Sequence, residues 1–259
     1  MQVAIVTVGD ELLAGDIENT NATWLARQLT DRGARVARVL TLPDELGVIA
    51  DAVGRYRQIH DAVLVTGGLG GTHDDVTMDA IAEATGRELV VDPDAREHVV
   101  EVSRAYREAN PDVVDRYDFQ FDPDAWAEQP AGSRTILNDA GLAPGCVVDA
   151  GADDPDAAPV YVFPGPPEEL QAVFARVADE FGGDLVSTML RSPAPESALV
   201  EHMEAARERF DVAVGSYPAT GDEDNRIKIS GPDPAEVERA VEWVRERVDV
   251  VEGSAERSE

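Results

Sequence analysis

Val3-Ala-Ile-Val-Thr-Val8 runs straight into Gly9-Asp10-Glu11, and Ala62-Val-Leu-Val-Thr66 runs straight into Gly67-Gly68-Leu69-Gly70-Gly71. Each run is short, β-branched and apolar without alternation, the pattern of a strand buried on both faces, and each ends at a turn. Between them, residues 20–31 place Trp24, Leu25 and Leu29 at helical spacing before Gly33 stops the helix. Residues 35–42 read as a second strand and residues 45–59 as a second helix. Strands alternating with helices require right-handed crossovers, so the expected fold is α/β: a three-layer, mostly parallel sheet with helices on both faces. The reading continues with helices near residues 75–84 and 94–109, strands at Ile136, Val147-Val148 and residues 160–163, and a helix from Pro167 to about residue 181.

Past Gly182-Gly183 the pattern changes to strand 185–190, helix 196–209, strands 212–217 and 226–230, and helix 234–248. The expected organisation is a main domain over residues 1–183, a smaller α+β domain over 184–252 and a mobile tail over 253–259. Residues 149–159, rich in aspartate and proline, read as a solvated loop.

Composition narrows the function. The chain of 259 residues carries 22 Lys+Arg against 52 Asp+Glu, a formal charge of −30 that repels nucleic acid and anionic membrane surfaces. Lys228 is the sole lysine, which leaves no room for a Schiff-base or P-loop lysine elsewhere. One cysteine, Cys146, excludes an intrachain disulfide and reads as a buried small hydrophobe opening a strand. With no window near the roughly 18 apolar residues of a membrane span, the expected location is the cytoplasm. An acid excess of this size fits a protein adapted to concentrated salt, where self-repulsion is screened.

In open α/β sheets ligands bind beyond the carboxyl ends of the strands, and three loops there carry acids. They hold Gly9-Asp10-Glu11 with Asn19 and Asn21 after it, Pro43-Asp44-Glu45, and Gly67-Gly68-Leu69-Gly70-Gly71-Thr72-His73-Asp74-Asp75-Val76-Thr77. Glycines let backbone amides approach a ligand, and a helix beginning near Asp75 aims its positive end there, which suits a phosphate. Carboxylates beside a phosphate repel it unless a divalent cation bridges the two, so a hard-oxygen metal site is implied. Taken alone, Asp74 or Asp75 is as well explained as a helix cap. His73 reads equally as a general base or a solvated loop residue. Trp24 and Trp243 sit at helical core positions, and Asn138 suits either ligand contact or its own turn.

Five motifs in order then resemble one family. They are Gly9-Asp10-Glu11-Leu12-Leu13-x-Gly15; Asn21 before a helix; Thr66-Gly67-Gly68-Leu69-Gly70-x-Thr72-x-Asp74-Asp75-x-Thr77; Asn138-x-x-Gly141-x-Ala143-Pro144-Gly145; and Pro164-Gly165-x-Pro167-x-Glu169. Over residues 3–181 the chain resembles the N-terminal domain of the competence/damage-inducible protein CinA, within the molybdopterin-binding superfamily that also holds MoaB and MogA. Residues 184–250 resemble the small KH-like domain that follows there, through Glu196-Ser197 and Gly215-Ser216-Tyr217-Pro218. The acidic turn at residues 220–225 would repel a phosphate chain, so no nucleic-acid role is expected of it. The family's amidohydrolase domain has no room in this chain.

The resemblance implies an often oligomeric α/β domain that binds a nucleotide or pterin phosphate, with molybdopterin as one possible ligand. In CinA-like members it also implies metal-dependent ADP-ribose pyrophosphatase activity. On that basis Glu11, Asp44 and Asp75 hold a Mg²⁺, Mn²⁺ or Co²⁺ ion, and a metal-bound water attacks phosphorus. Amides of Gly67, Gly68, Gly70, Gly71 and Thr72 hold the diphosphate, and Gly9, Asp10, Asn21, Asp74, Thr77, Asn138, Gly141, Pro144, Gly145, Pro164 and Gly165 complete the substrate site. The alternatives are a non-catalytic molybdopterin or nucleotide binding module, or nucleotidyl transfer in molybdenum cofactor biosynthesis. Gly71 stands where the family usually has proline, Leu142 where it has threonine, and residues 118–129 lack the basic stretch typical there.

Overall fold

The structure, a computed structural model, describes residues 1–71, 75–116, 121–152, 154–218, 224–251 and 256–258. The chain divides into two compact units, residues 2–27 with 36–180, and residue 1 with 28–35 and 181–259.

The elements run β1 (Gln2–Val8), α1 (Asp10–Ala14), α2 (Thr20–Asp31), β2 (Arg35–Leu42), α3 (Leu46–Tyr56), β3 (Ala62–Thr66), α4 (Thr77–Thr85), β4 (Leu89–Val91), α5 (Pro93–Ala109), α6 (Pro111–Arg116), β5 (Glu128–Pro130), β6 (Arg134–Ile136), β7 (Gly145–Val148), β8 (Val160–Phe163) and α7 (Pro167–Ala175). Six strands form one sheet in the order β2-β1-β3-β8-β7-β6. β1 and β8 both run parallel to β3, with Val3 opposite Ala62 and Val63 opposite Val160, whereas at the far edge β7 runs antiparallel to β8 and β6 antiparallel to β7. The fold is the mostly parallel α/β sheet expected from the alternation of runs.

Residues of β3, β7 and β8 are buried throughout, which is why those segments read as unbroken apolar runs. Val6, Val63, Val65, Val160 and Val162 meet Ile49 and Val53 of α3 and Ile81 of α4 in one cluster. Each such side chain contributes roughly 1.5–3 kcal/mol by leaving water. Trp24 of α2 packs edge-on against Phe174 of α7, with centroids 5.3 Å apart and planes at 84°. Cys146 is fully buried, and desolvation pushes its thiol up to about 12, so it behaves as a small hydrophobe.

The structure departs from expectation at several places. Asp10–Ala14 is a short helix closed by Gly15 at φ 78°, where a plain loop was expected. α4 starts at Thr77 rather than near Asp75, and α7 ends at Ala175, followed by a short 3-10 turn at Ala178–Glu180. β4 and β5 form a separate two-stranded sheet, each too short to leave a periodic signal. Within residues 149–159, Ala157 and Ala158 are buried and Asp154 accepts a bond from Gln58, so that stretch is partly pinned rather than wholly solvated.

The second unit holds β9 (Val186–Ser192), α8 (Glu196–Arg209), β10 (Ala213–Tyr217), β11 (Asn225–Gly231), α9 (Pro234–Arg245) and β12 (Glu256–Ser258). Its sheet is antiparallel in the order β10-β11-β9-β12, over a core of Leu190, Leu199, Ile227, Ile229, Val237 and Val244. Trp243 packs against that core, as its helical spacing predicts, with Arg247 4.3 Å above its ring. Residues 256–258 pair with β9, where a mobile end was expected. The turn at 219–223 lies outside the described residues. Among the described residues no helix is long and apolar enough to cross a membrane.

Candidate functional site

β2 lies on one side of β1 and β3 on the other, so the chain leaves β1 in one direction and returns in the opposite one. Such a switch point opens a crevice between the carboxyl ends of the two inner strands. A cavity of about 560 Å³ lies there, walled by Gly9 and Glu11 after β1, Asp44 after β2, Gly67, Gly68, Leu69, Gly70 and Asp75 after β3, and Pro164 and Gly165 after β8.

Backbone geometry explains the glycines. Gly67 has φ 104°, and any Cβ there would collide with the Val8 carbonyl, so only glycine lets β3 close on the end of β1. Its amide donates to the Phe163 carbonyl at 3.2 Å, joining β8 to the same corner, and is thereby spent. Gly68, at φ 65°, lies against the Thr77 hydroxyl, and Gly70 lies against the Asp75 carboxylate. The amides of Gly68, Leu69 and Gly70 make no hydrogen bond among the described residues.

A hydrogen-bonded floor fixes the corner. Asn19 donates to Thr7 Oγ1 at 2.8 Å and to Thr41 Oγ1 at 3.1 Å, and Asn21 donates to the Gly165 carbonyl at 2.7 Å. Thr66 Oγ1 donates to the Pro164 carbonyl at 2.7 Å. Asn21 thus ties α2 to the turn after β8.

Two of the acids have close local contacts. Glu11 folds back over Gly9, and Asp44 accepts the Asp10 amide at 2.9 Å. Burial raises the Asp44 carboxyl above its ordinary range, and the charges of Asp10, Glu11 and Asp75 push the same way against the Asp10 amide bond. Five carboxylates, Glu11, Glu18, Asp44, Asp75 and Glu169, line the cavity, and none of its described lining residues is Lys, Arg or His. Even so, among the described residues no group of three or more His, Cys, Asp or Glu is placed to hold a metal ion. The expected Glu11–Asp44–Asp75 ligand set shares a cavity without converging on one point.

Other predicted residues lie off the cavity wall. Thr77 is fully buried beneath Gly68 with its hydroxyl unpartnered. Asn138 is a structural tie: fully buried, it donates to the Ala143 carbonyl at 2.9 Å and to Glu169 Oε2 at 2.7 Å, and accepts the Ala140 amide at 3.0 Å. Gly141 lies against the Glu169 carboxylate, and a Cβ on Gly145 would come 2.5 Å from the Val162 carbonyl and 2.7 Å from Val173 Cγ1. Pro144 is buried, Gly71 abuts Trp126, and Asp10 contributes its amide. Thr72, His73 and Asp74 lie outside the described residues.

Several wall residues escaped the sequence reading, among them Glu18, Trp126 and Glu169. Trp126 belongs to a segment read only for its missing basic charge, and Glu169 stood in a motif without a role of its own. Burial raises the Glu169 carboxyl, opposed by the Asn138 bond, and its Oε1 makes no hydrogen bond among the described residues.

Residues 4–182 match the family described as "Probable molybdopterin binding domain", and residues 184–252 match "FAD synthase, middle domain". The second match replaces the KH-like reading of the smaller unit. A protein of Archaeoglobus fulgidus is 34% identical over 95% of this chain and 97% of its own length. A CinA-like protein of Salinibacter ruber is 34% identical over 85% of this chain, which spans 52% of that relative. A crystal structure of CinA, of unknown function, from Thermoplasma acidophilum aligns with a TM-score of 0.59 at 28% identity, covering 70% of this chain and 99% of that one.

Proposed function

The chain belongs to the molybdopterin-binding-domain family over residues 4–182, and from that premise we propose that its cavity binds a phosphate-bearing pterin or nucleotide without turnover, as a module related to molybdenum cofactor assembly. The observation that carries this reading is the run of amides at Gly68, Leu69 and Gly70, three adjacent N–H groups on the cavity wall that no described group satisfies. Consecutive unpartnered amides at a glycine turn form a concavity for anions. The cavity's size lies within the few hundred to about 1,000 Å³ usual for small-molecule sites.

Phosphate is read at the amides of Gly68, Leu69 and Gly70, beside the carboxylates of Asp44 and Asp75, while Glu169 Oε1 accepts N–H donors from the ligand's ring. A cation accompanying the ligand would reduce repulsion from the five carboxylates. Hydrolysis through a cation fixed by Glu11, Asp44 and Asp75 has less support, because those side chains do not form a ligand group.

Calorimetry against neopterin monophosphate, AMP and ADP-ribose, with and without Mg²⁺, followed by phosphorus NMR of the same samples, tests this. Saturable binding with unchanged phosphorus resonances is expected. Release of AMP from ADP-ribose would establish the hydrolytic reading instead, a new adenylylated product would establish nucleotidyl transfer, and absence of binding to every probe would refute a pterin or nucleotide site.

A further inference from the structure

Trp126 stands in a short 3-10 turn, Ala125–Ala127, whose last residue is fully buried and anchors it. The pyrrole edge of its indole rests on the backbone of Gly71: a Cβ there would overlap Nε1, and would come within 2.7 Å of Cε2 and 3.0 Å of Cδ1. Further support comes from the apolar cluster beneath the sheet end and from Phe121, whose ring centroid is 6.4 Å away. An indole held on those sides is still only half-buried, and it lines the cavity one residue beyond the last of the three unpartnered amides. It is the only aromatic side chain among the described wall residues.

We propose that Trp126 is the stacking wall for the ligand's planar heterocycle, an inference that rests on the reading of this cavity as a pterin or nucleotide phosphate site. The fixed ring needs little ordering when the ligand arrives, and a heterocycle gains offset stacking on the one aromatic face among described wall residues that are otherwise aliphatic, acidic, small polar, proline or glycine. Gly71 is a positioning residue: it has no side chain because the indole occupies that space.

The experiment compares heterocyclic with ring-free anions. Trp126→Leu keeps apolar bulk without an aromatic face, and Trp126→Phe keeps a smaller ring. For neopterin monophosphate and AMP, calorimetry should show about 10- to 100-fold weaker binding by the Leu variant and a smaller loss by the Phe variant. Affinity for inorganic pyrophosphate, which only the amides read, should stay within about twofold of wild type in both. Gly71→Ala, which displaces the indole and removes no polar group, should give the same selective loss and covers the case in which a Trp126 variant folds poorly.

Wild-type affinity of the Leu variant for the ring-bearing ligands would overturn the proposal, as would a parallel loss for pyrophosphate, which would make Trp126 a support of the loop alone. Wild-type protein that binds pyrophosphate but neither ring-bearing ligand would overturn it as well. Failure of the wild type to bind any probe would remove the underlying site reading, and this inference with it.

Discussion

Replacing Asn138 with aspartate exchanges one NH₂ group for an oxygen at a fully buried position, and the surroundings set the cost. The amide nitrogen now serves the Ala143 carbonyl at 2.9 Å and Glu169 Oε2 at 2.7 Å, while Oδ1 accepts the Ala140 amide. The variant keeps only the last bond. Loss of the neutral bond costs about 1 kcal/mol and loss of the bond to a carboxylate about 1.5–3 kcal/mol. Two carboxylates at that separation cannot both ionise, so they hold a shared proton, which restores a bond between them but costs about 1.4 kcal/mol per pH unit from the unfolded carboxyl pKa up to the raised folded one.

Near pH 7.5 the sum is about 4–6 kcal/mol, and at 2–4 °C per kcal/mol for a unit of this size the thermal midpoint falls by roughly 10–20 °C. The sign with pH is fixed. The pair's folded pKa is raised above its unfolded value, so the proton's stabilisation is full below the unfolded pKa and is lost as pH rises through the folded one. Circular dichroism melts of wild type, Asn138→Asp and Asn138→Ala at about pH 5 and about pH 7.5 measure it. The Asp variant should recover much of its deficit at the lower pH, and the Ala variant much less. An Asp variant melting within about 2 °C of wild type at both pH values would refute the reasoning.

Three further outcomes follow from the same contacts. Gly68→Ala forces a Cβ into a left-handed residue at φ 65° and onto the buried Thr77 hydroxyl, so chemical denaturation should show a loss of about 2–4 kcal/mol. Thr77→Val replaces a buried hydroxyl that has no partner with a methyl group, and the same titration should show a gain of about 1 kcal/mol; a loss would mean that the hydroxyl is satisfied. With a formal charge of −30, self-repulsion should be relieved by salt, so the melting midpoint should rise between dilute buffer and molar KCl, and an unchanged midpoint would contradict the salt-adaptation reading.

The sheet was legible because β1, β3 and β8 are buried on both faces, which forces continuous apolar runs that nothing in the loops imitates. β4 and β5 left no such trace, since three residues held by pairing alone have no periodicity. Positions along the chain placed the three acidic loops at one sheet edge, but side-chain direction is a matter of local partners: Glu11 turns to Gly9, Asp44 to the Asp10 amide and Asp75 to Gly70. All three line one cavity, and among the described residues they form no group of three placed to hold a metal ion. Asn138 also answers to local partners, its donors taken by Ala143 and Glu169. Trp126 was illegible for the opposite reason: an isolated aromatic in an acidic segment gains a role only when Gly71, 55 residues earlier by number, comes to lie against it.

The account turns on three backbone amides meeting an anion. Proton–nitrogen NMR of glycine-labelled protein, titrated with pyrophosphate and then with neopterin monophosphate, reads Gly68 and Gly70 directly. Saturable downfield shifts of both amide protons, with Gly67 less affected because it already donates to Phe163, are the predicted result. Binding by calorimetry that leaves both resonances in place would contradict it.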